Sequence, residues 1–135
     1  MLAHPLKDSM TVGEDFVLAE WTQQGSPPGE RMLVAPYHIH RHCDEAWYIL
    51  EGTLCVQVGD DVVTATAGDS VLVPRGVRHA YWNPSSDQVR YMLVMTRKTY
   101  ELIQAIHSAE DRSYEAMVAL FDRFDAVYLG FQAPS

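Results

Sequence analysis

The sequence predicts an all-β fold, a small antiparallel sandwich or barrel, followed by C-terminal α-helices. Short β-favouring segments with turn residues between them fill the chain as far as residue 96. After residue 96, apolar residues instead recur with the period of an α-helix. The 135 residues fit one domain, because two domains would each be too small to bury an adequate core. We expect a single domain over 1–135, with the barrel at about 14–96 and a helical extension at about 97–127.

Eight short strands account for the first part of the chain. They are rich in β-branched and aromatic residues, and loops such as QQGSPPGE interrupt them. The GDD sequence between two of them predicts a hairpin in which Gly59 adopts a positive φ. The predicted strands are 14–21, 31–40, 45–50, 53–58, 62–66, 70–73, 78–82 and 88–96.

Two helices are predicted after Thr96. Leu102, Ile103 and Ile106 indicate a short helix that ends near Ser108. Residues 108–111, SAED, resemble a capping box and predict the start of a second helix there. The apolar stripe of this second helix would comprise Tyr114, Met117, Val118, Phe121 and Phe124.

The stripe on the second helix has two interpretations. It could be a partner groove or a cofactor site, but a helix packed on the outside of the barrel is the simpler interpretation. The apolar residues 127–131 are expected to add an extended segment, one that could reach across a dimer.

Composition argues against several classes of partner. The net charge is −8 and no basic cluster occurs, which argues against nucleic acid or an anionic membrane surface. No apolar run approaches the roughly 18 residues that span a bilayer. The first ten residues lack the basic and apolar regions of a signal peptide. We therefore expect a cytoplasmic location, with Cys43 and Cys55 as reduced thiols.

The stretch PYHIHRHCDEAWYILEG (36–52) contains three histidines and two acids within a few residues. Residues two apart on a strand share a face, so His38 and His40 can direct their imidazoles to one ion. His42 has the same parity but lies where the chain should turn, and spacing alone does not exclude it. Glu45 begins the next strand, where a reversal would return its carboxylate to the same place. These are ligand types for Fe, Mn, Zn, Ni, Co or Cu.

A rigid turn precedes His79 in GDSVLVPRGVRHAYWN (68–83). Pro74 fixes φ and Gly76 frees it, which suits a tight reversal. His79 follows on the next strand, with Tyr81 and Asn83 on the same face. Such a turn can aim a histidine side chain, so this second stretch supports a metal site.

The two stretches resemble the two motifs of the cupin superfamily. For the first motif, this chain has His38-x-His40, four residues, Glu45, six residues and Gly52. Met32 stands where the family has a leading glycine, a difference that affects a backbone detail and leaves the ligand positions intact.

The second motif is matched at every position and follows after fifteen residues, a spacing similar to that of small, single-domain bacterial cupins. The matching residues are Gly68, Pro74, Gly76, His79 and Asn83.

This resemblance implies an antiparallel cupin β-barrel of jelly-roll type, also called a double-stranded β-helix. It also implies one divalent transition metal (Fe, Mn, Ni, Co, Cu or Zn) on His38, His40, Glu45 and His79. The register of the family favours the pair His38 and His40 over the pair His40 and His42. Glu45 is also our candidate catalytic residue, as the carboxylate of the set.

Trp47, Ile49 and Tyr81 are expected to line a pocket in the barrel interior. Tyr81 could donate a hydrogen bond to a substrate, or it could be a core tyrosine with a satisfied hydroxyl. This apolar interior favours a small, flat or apolar substrate over a free sugar, and no Arg or Lys is clearly directed into it. Tyr48 and Leu50 give the same strand an apolar outer face, which favours a homodimer.

Three functions remain open, because a barrel scaffold does not fix an activity. The first is a metal-dependent oxygenase, similar to quercetinase-like cupins, that acts on a small enol or aromatic compound. The second is a non-redox isomerase, lyase or hydrolase that uses the metal as a Lewis acid. The third is a non-catalytic module that binds a small ligand.

Overall fold

The computed structural model describes residues 10–132; His4, to which the sequence assigns no role, lies outside them. Ten strands and two helices follow one another in this part of the chain. The strands before the helices are β1 (Thr11–Val12), β2 (Phe16–Gln23), β3 (Tyr37–His40), β4 (Glu45–Glu51), β5 (Thr53–Val58), β6 (Asp61–Thr66), β7 (Ser70–Val73), β8 (His79–Trp82) and β9 (Val89–Thr96). The last elements are α1 (Arg97–Ser108), α2 (Tyr114–Arg123) and β10 (Ala126–Gly130).

The strands form two five-stranded antiparallel sheets around one core. The first sheet has the order β1-β2-β9-β4-β7, and the second has the order β10-β3-β8-β5-β6. Side chains from both sheets, such as Trp47 on β4 and Val56 on β5, belong to the same buried cluster. The predicted all-β barrel with C-terminal helices is confirmed.

Alternation of buried and exposed residues explains how the first sheet packs. On β2, Val17, Ala19 and Trp21 are buried and the residues between them are not. Trp47 and Ile49 alternate in the same way on β4. Because successive side chains of a strand point to opposite faces, one face of this sheet forms the core and the other faces outward.

The eight predicted strands are all present, seven of them within two residues at each end. The exception is the predicted strand 31–40, of which only Tyr37–His40 is a strand. Residues 31–36 contain Pro36, which has no N–H to donate to a ladder, and contribute a single isolated bridge from Leu33 to Trp82. The predicted hairpin turn is confirmed, with Gly59 at φ 58°.

The start of the second helix was predicted wrongly. Ser108 ends α1, and the N-cap of α2 is Ser113, whose hydroxyl accepts a hydrogen bond from the Ala116 backbone N–H. Asp111 instead accepts a hydrogen bond from the Ser113 N–H, at 3.0 Å. The SAED sequence fits a capping box by composition, but the serine five residues later performs that role.

The C-terminal segment pairs with a strand of the same chain. Strand β10 is antiparallel to β3, with Ala126 opposite His40 and Tyr128 opposite His38. Of the predicted stripe on α2, Met117 and Phe121 are buried. Tyr114 and Val118 are exposed, whereas Leu120, which is outside the predicted stripe, is buried, so the buried face is shifted from the predicted one. Neither helix of the described residues is long and apolar enough to cross a membrane.

Replacement of Gly52 by alanine should destabilise the fold more than the same change at Gly68. Both glycines have positive φ, at 82° and 91°, which costs an L-residue about 1–2 kcal/mol. A Cβ at Gly52 would also lie 2.5 Å from the Gln88 carbonyl oxygen, whereas nothing lies within 4 Å at Gly68. We expect Gly52→Ala to lose about 1–3 kcal/mol more, as overpacking does, when measured by urea unfolding. Equal losses would contradict this close approach.

Candidate metal centre

The two sheets meet at a cluster of three histidines and one carboxylate. His38 and His40 lie on β3, and His79 lies on β8 directly opposite His38 in the antiparallel register. Glu45 is the first residue of β4 in the other sheet. The four side chains are at most 6% exposed. The structure thus brings together the four residues that the sequence predicts as ligands.

The Pro74-Arg75-Gly76 turn is fastened to the ligand strands. The Gly76 N–H donates to the His40 carbonyl oxygen at 2.7 Å. The Arg75 N–H donates to the Asp44 carboxylate at 2.9 Å, and this hydrogen bond lowers the pKa of Asp44. Asp44 therefore caps a turn. The turn that precedes His79 is held against the strands that carry the other ligands.

Backbone carbonyls fix the orientation of two imidazole rings. Nδ1–H of His38 donates to the Pro36 oxygen at 2.6 Å, and Nδ1–H of His79 donates to the Val77 oxygen at 3.0 Å. In a neutral imidazole the other nitrogen then carries the lone pair. Such carbonyl contacts are typical of histidines that bind metals through Nε2.

The arrangement of lone pairs fits a metal cation. Nε2 of His79 lies 3.1 Å from Oε1 of Glu45, so two electron pairs face each other unless a cation or a proton lies between them. Nε2 of His40 is buried without a hydrogen-bond partner and is 3.7 Å from the same oxygen. Buried polar atoms normally have partners. A metal ion would satisfy all of them together.

The spacing of the four ligand atoms also suits one ion. They all lie within 4.8 Å of one another. Ligands about 2.0–2.1 Å from a transition metal lie up to about 4 Å apart, so small side-chain shifts would complete the coordination. The donor set, three imidazoles and one carboxylate, suits Fe, Mn, Co, Ni, Cu or Zn. The residues present therefore fit the metal that the resemblance implies.

Burial and neighbouring charges set the ionisation of the cluster. Burial lowers the pKa of His38 well below 6.5, and the nearby His79 and His40 lower it further. Burial raises the pKa of Glu45, but the favourable interactions of its carboxylate with the nearby His40 and His79 imidazoles outweigh this effect, so that the pKa lies below its ordinary value. A neutral imidazole and an ionised carboxylate are the forms that bind a metal.

His42 is not part of the cluster, which settles the alternative that spacing left open. Its Nδ1 lies 2.6 Å from the Asp125 carboxylate, and its side chain is 77% exposed. Asp125 lies between α2 and β10, and its backbone oxygen accepts from the Arg41 N–H at 3.0 Å. His42 therefore joins the turn after β3 to the turn before β10.

Cys43 and Cys55 are both free thiols.

A cavity of about 450 Å³ lies beside the cluster. His38, His40 and Glu45 form part of its wall, and most of the remainder is apolar. Helices α1 and α2 supply much of this apolar wall, with Phe121 only 5.8 Å from His38 between ring centroids. The helices therefore cover the four candidate ligands, which are called the metal cluster below, in addition to packing on the barrel. The contributing helical residues are Leu102, Ile103, Ile106 and Phe121.

The predicted pocket residues divide into two groups. Tyr81 lines the cavity, whereas Trp47 and Ile49 are fully buried in the core cluster. Trp47 supports the site from behind, with ring centroids 5.2 Å from Tyr81 and 6.1 Å from His79. Burial, aided by Tyr91 and Glu45, raises the pKa of Tyr81 well above 10, so its hydroxyl stays protonated.

Sequence reasoning missed three polar residues of the cavity, Thr99, His107 and Arg112. Arg112 lines it, contrary to the expectation that no Arg or Lys is directed inward, and His107, to which the sequence assigned no role, lines it as well. Both lie near the end of α1 or just after it. The apolar period of α1 could have indicated a buried face, but no motif indicated that this face would cover the histidines.

The family is decided by comparison with known proteins. The model of the cupin domain matches residues 26–95, about half of the chain. The chain belongs to the cupin family. This match contains all four candidate ligands.

Two curated relatives match this cupin over 77 residues. Mannose-1-phosphate guanylyltransferase 2 of Escherichia coli O157:H7 is 35% identical, and the xanthan biosynthesis protein XanB of Xanthomonas campestris is 32% identical. The matches cover 57% of this chain and 15% of each relative. The similarity thus concerns a small part of much longer proteins.

Solved structures show the same fold. A protein from Thermus thermophilus superimposes with a TM-score of 0.54 at 23% identity, over 70% of this chain and 90% of that one. A cupin-2 domain protein from Shewanella frigidimarina gives a TM-score of 0.52 at 23% identity, over 64% and 76%. At this identity the likeness concerns the fold alone.

Loss of one imidazole should prevent metal from stabilising the cupin. We expect His79→Ala to weaken metal affinity by more than about 100-fold, since even a partner of a ligand contributes about 10–100-fold. The rise in Tm that added metal produces in the wild type should disappear. His42→Ala removes a histidine outside the cluster and should keep that rise. A full rise in the His79→Ala protein would exclude His79 as a ligand.

Proposed function

We propose that this cupin is a metal-dependent oxygenase that acts on a small enol or aromatic compound. His38, His40, Glu45 and His79 would hold one divalent transition metal. The observation that carries the proposal is the mostly apolar cavity that opens onto three of these four residues. A concave apolar site with a few convergent polar groups is the usual form of a small-molecule site.

The metal and Glu45 have defined roles in this proposal. A bound transition metal would supply Lewis acidity and, if it is redox-active, the ability to activate dioxygen. The lowered pKa of Glu45 keeps its carboxylate ionised, which suits a ligand and makes it a weak base. We therefore assign Glu45 the catalytic role of holding the metal and accepting a hydrogen bond from a substrate hydroxyl at its carboxylate.

The remaining cavity residues would orient the substrate. Phe121 and Leu102 would contact a flat or apolar body and exclude water from the metal side of the cavity. Tyr81, protonated because burial raises its pKa, would donate a hydrogen bond from its hydroxyl to a substrate oxygen. Trp47 and Ile49, placed behind this surface, would keep the tyrosine ring in position.

A non-redox isomerase or lyase is the second candidate. The same four ligands could serve Lewis-acid chemistry without any change. The name of the relative from Escherichia coli refers to mannose 1-phosphate, which favours a phosphorylated sugar for this alternative. The apolar cavity wall favours the oxygenase proposal, and a non-catalytic ligand-binding cupin would need the cavity but no turnover.

We also propose a homodimer formed through the outer face of the first sheet. Leu18, Val94, Ala46 and Leu72 are neighbours across four strands on this face, and Leu72 is 57% exposed. Tyr48 lies on the same face and is 46% exposed. Large exposed apolar patches are typical of interfaces, and a second copy offers the matching surface by two-fold symmetry.

Oxygen consumption distinguishes the proposed reactions. The purified cupin, loaded in turn with Fe, Mn, Co, Ni and Cu, should consume oxygen with at least one member of a panel of enols, phenols and diketones. The His79→Ala protein should consume none. Turnover of an isomerase or lyase substrate without oxygen uptake would favour the second candidate. Tight binding without any turnover would indicate a binding module.

An acidic residue in the outer sheet face should abolish the dimer. We expect wild-type protein to elute as a dimer in size-exclusion chromatography with light scattering, and Leu72→Glu to elute as a monomer, because a charge would be buried unpaired. Val62→Glu is the matched control, since Val62 is 48% exposed on β6 of the other sheet. A monomeric wild type would contradict the proposed interface.

A further inference from the structure

The cavity has one charged residue that does not belong to the metal cluster. Among its lining residues in the described part of the chain, Glu45 is the one carboxylate and Arg112 is the one Arg or Lys. If Glu45 is occupied by the metal, Arg112 is the remaining ionic group. This cation lies in a chain whose net charge is −8, so overall charge does not explain why it lies there.

Arg112 is held in place by the end of helix α1. Its Nη2 donates to the Ile106 carbonyl oxygen at 2.8 Å and its Nε to the Ala109 oxygen at 3.4 Å. A cation at a helix C-terminus is favoured by the helix dipole. Since a guanidinium has five N–H donors in a planar fork, these two hydrogen bonds leave donors for a ligand.

The cavity wall combines three kinds of residue: the candidate metal ligands, apolar residues of α1 and α2, and Arg112. Leu102, Ile103 and Ile106 of α1 line the cavity together with Phe121 of α2. Arg112 follows α1 and is exposed, whereas the metal ligands are buried at the other part of the wall. A molecule that satisfies the whole cavity would therefore need a metal-directed group, an apolar body and an anion.

We propose that the cavity takes an amphipathic acid, whose anionic group pairs with Arg112 and whose apolar body contacts α1 and α2. Arg112 is then the residue that selects a carboxylate or similar anion. A planar guanidinium suits this role because it binds carboxylates through two parallel hydrogen bonds. This proposal rests on the proposed function insofar as the cavity is the substrate site.

Matched probes test the role of Arg112. Phenylalkanoates with one to four methylenes, and the corresponding primary amides, differ in charge but hardly in shape. We expect the metal-loaded wild type to bind the best carboxylate about tenfold more tightly than its amide in titration calorimetry, as a charge-assisted hydrogen bond would give. Inorganic phosphate, an anion without an apolar body, should bind more weakly than that carboxylate.

The preference for the acid should disappear in Arg112→Gln. This variant should bind the carboxylate and the amide within about twofold of each other, while its affinity for the amide stays near that of the wild type. Arg123→Gln, a change on the exposed end of α2 outside this cavity, should keep the tenfold preference. A role of Arg112 confined to capping α1 would lower the Tm but leave the preference intact, and this result would overturn the proposal.

A bound metal could also attract a carboxylate. Measurements on metal-free protein distinguish a preference for the acid that is due to Arg112 from one that is due to the metal. A preference that persists in the metal-free His79→Ala protein supports Arg112 as the anion-binding group. A preference lost there but kept in Arg112→Gln would assign the anion to the metal and overturn the proposal, while leaving the proposed metal enzyme in place. Failure of every phenylalkanoate to bind would also overturn it, and oxygen uptake would then test the reaction independently.

Discussion

The structure depends on keeping one carboxylate ionised in a largely buried position. Glu45 is 5% exposed, and an isolated buried charge is costly. Three imidazole nitrogens must therefore converge on it from a different sheet. The register that puts His79 opposite His38, and the carbonyls that orient the two rings, serve this convergence. Without a cation, the geometry still leaves His40 Nε2 without a partner, so the cluster is organised for an ion more than for its own stability.

The C-terminal segment is part of this arrangement because both its ends are fixed to the barrel. Helix α1 begins directly after β9, with Thr96 as its N-cap. Strand β10 returns to pair with β3, and Asp125 ties the turn before it to Arg41 and His42. The two helices between these points must therefore lie near the strand that carries His38 and His40. That constraint places Phe121 over His38 and creates an apolar cavity beside the metal ligands.

Most of the barrel could be predicted from the sequence because it follows local rules. Local rules also indicated the four ligands but did not exclude His42, and the resemblance to the cupin motifs favoured His38 and His40. Parity places His38 and His40 on one face, and the Pro74-Gly76 turn aims His79. The cavity could not be predicted in the same way. Trp47 shares the parity of Glu45, yet parity gives the face of a strand and not the depth at which the ring lies, and the ring is fully buried. Arg112 lines the cavity because of the way the chain passes from α1 to α2. No short sequence motif indicates this path.

The candidate ligands and much of the cavity wall come from different parts of the chain, the barrel and the helical segment. The matched cupin domain, residues 26–95, contains all four candidate ligands. Leu102, Arg112 and Phe121 lie outside that range and shape the cavity. A shared barrel does not by itself fix an activity. If the cavity is the substrate site, as proposed, the helical segment contributes to its selectivity, and substitutions at Leu102 or Arg112 would alter the cavity wall without replacing a candidate ligand.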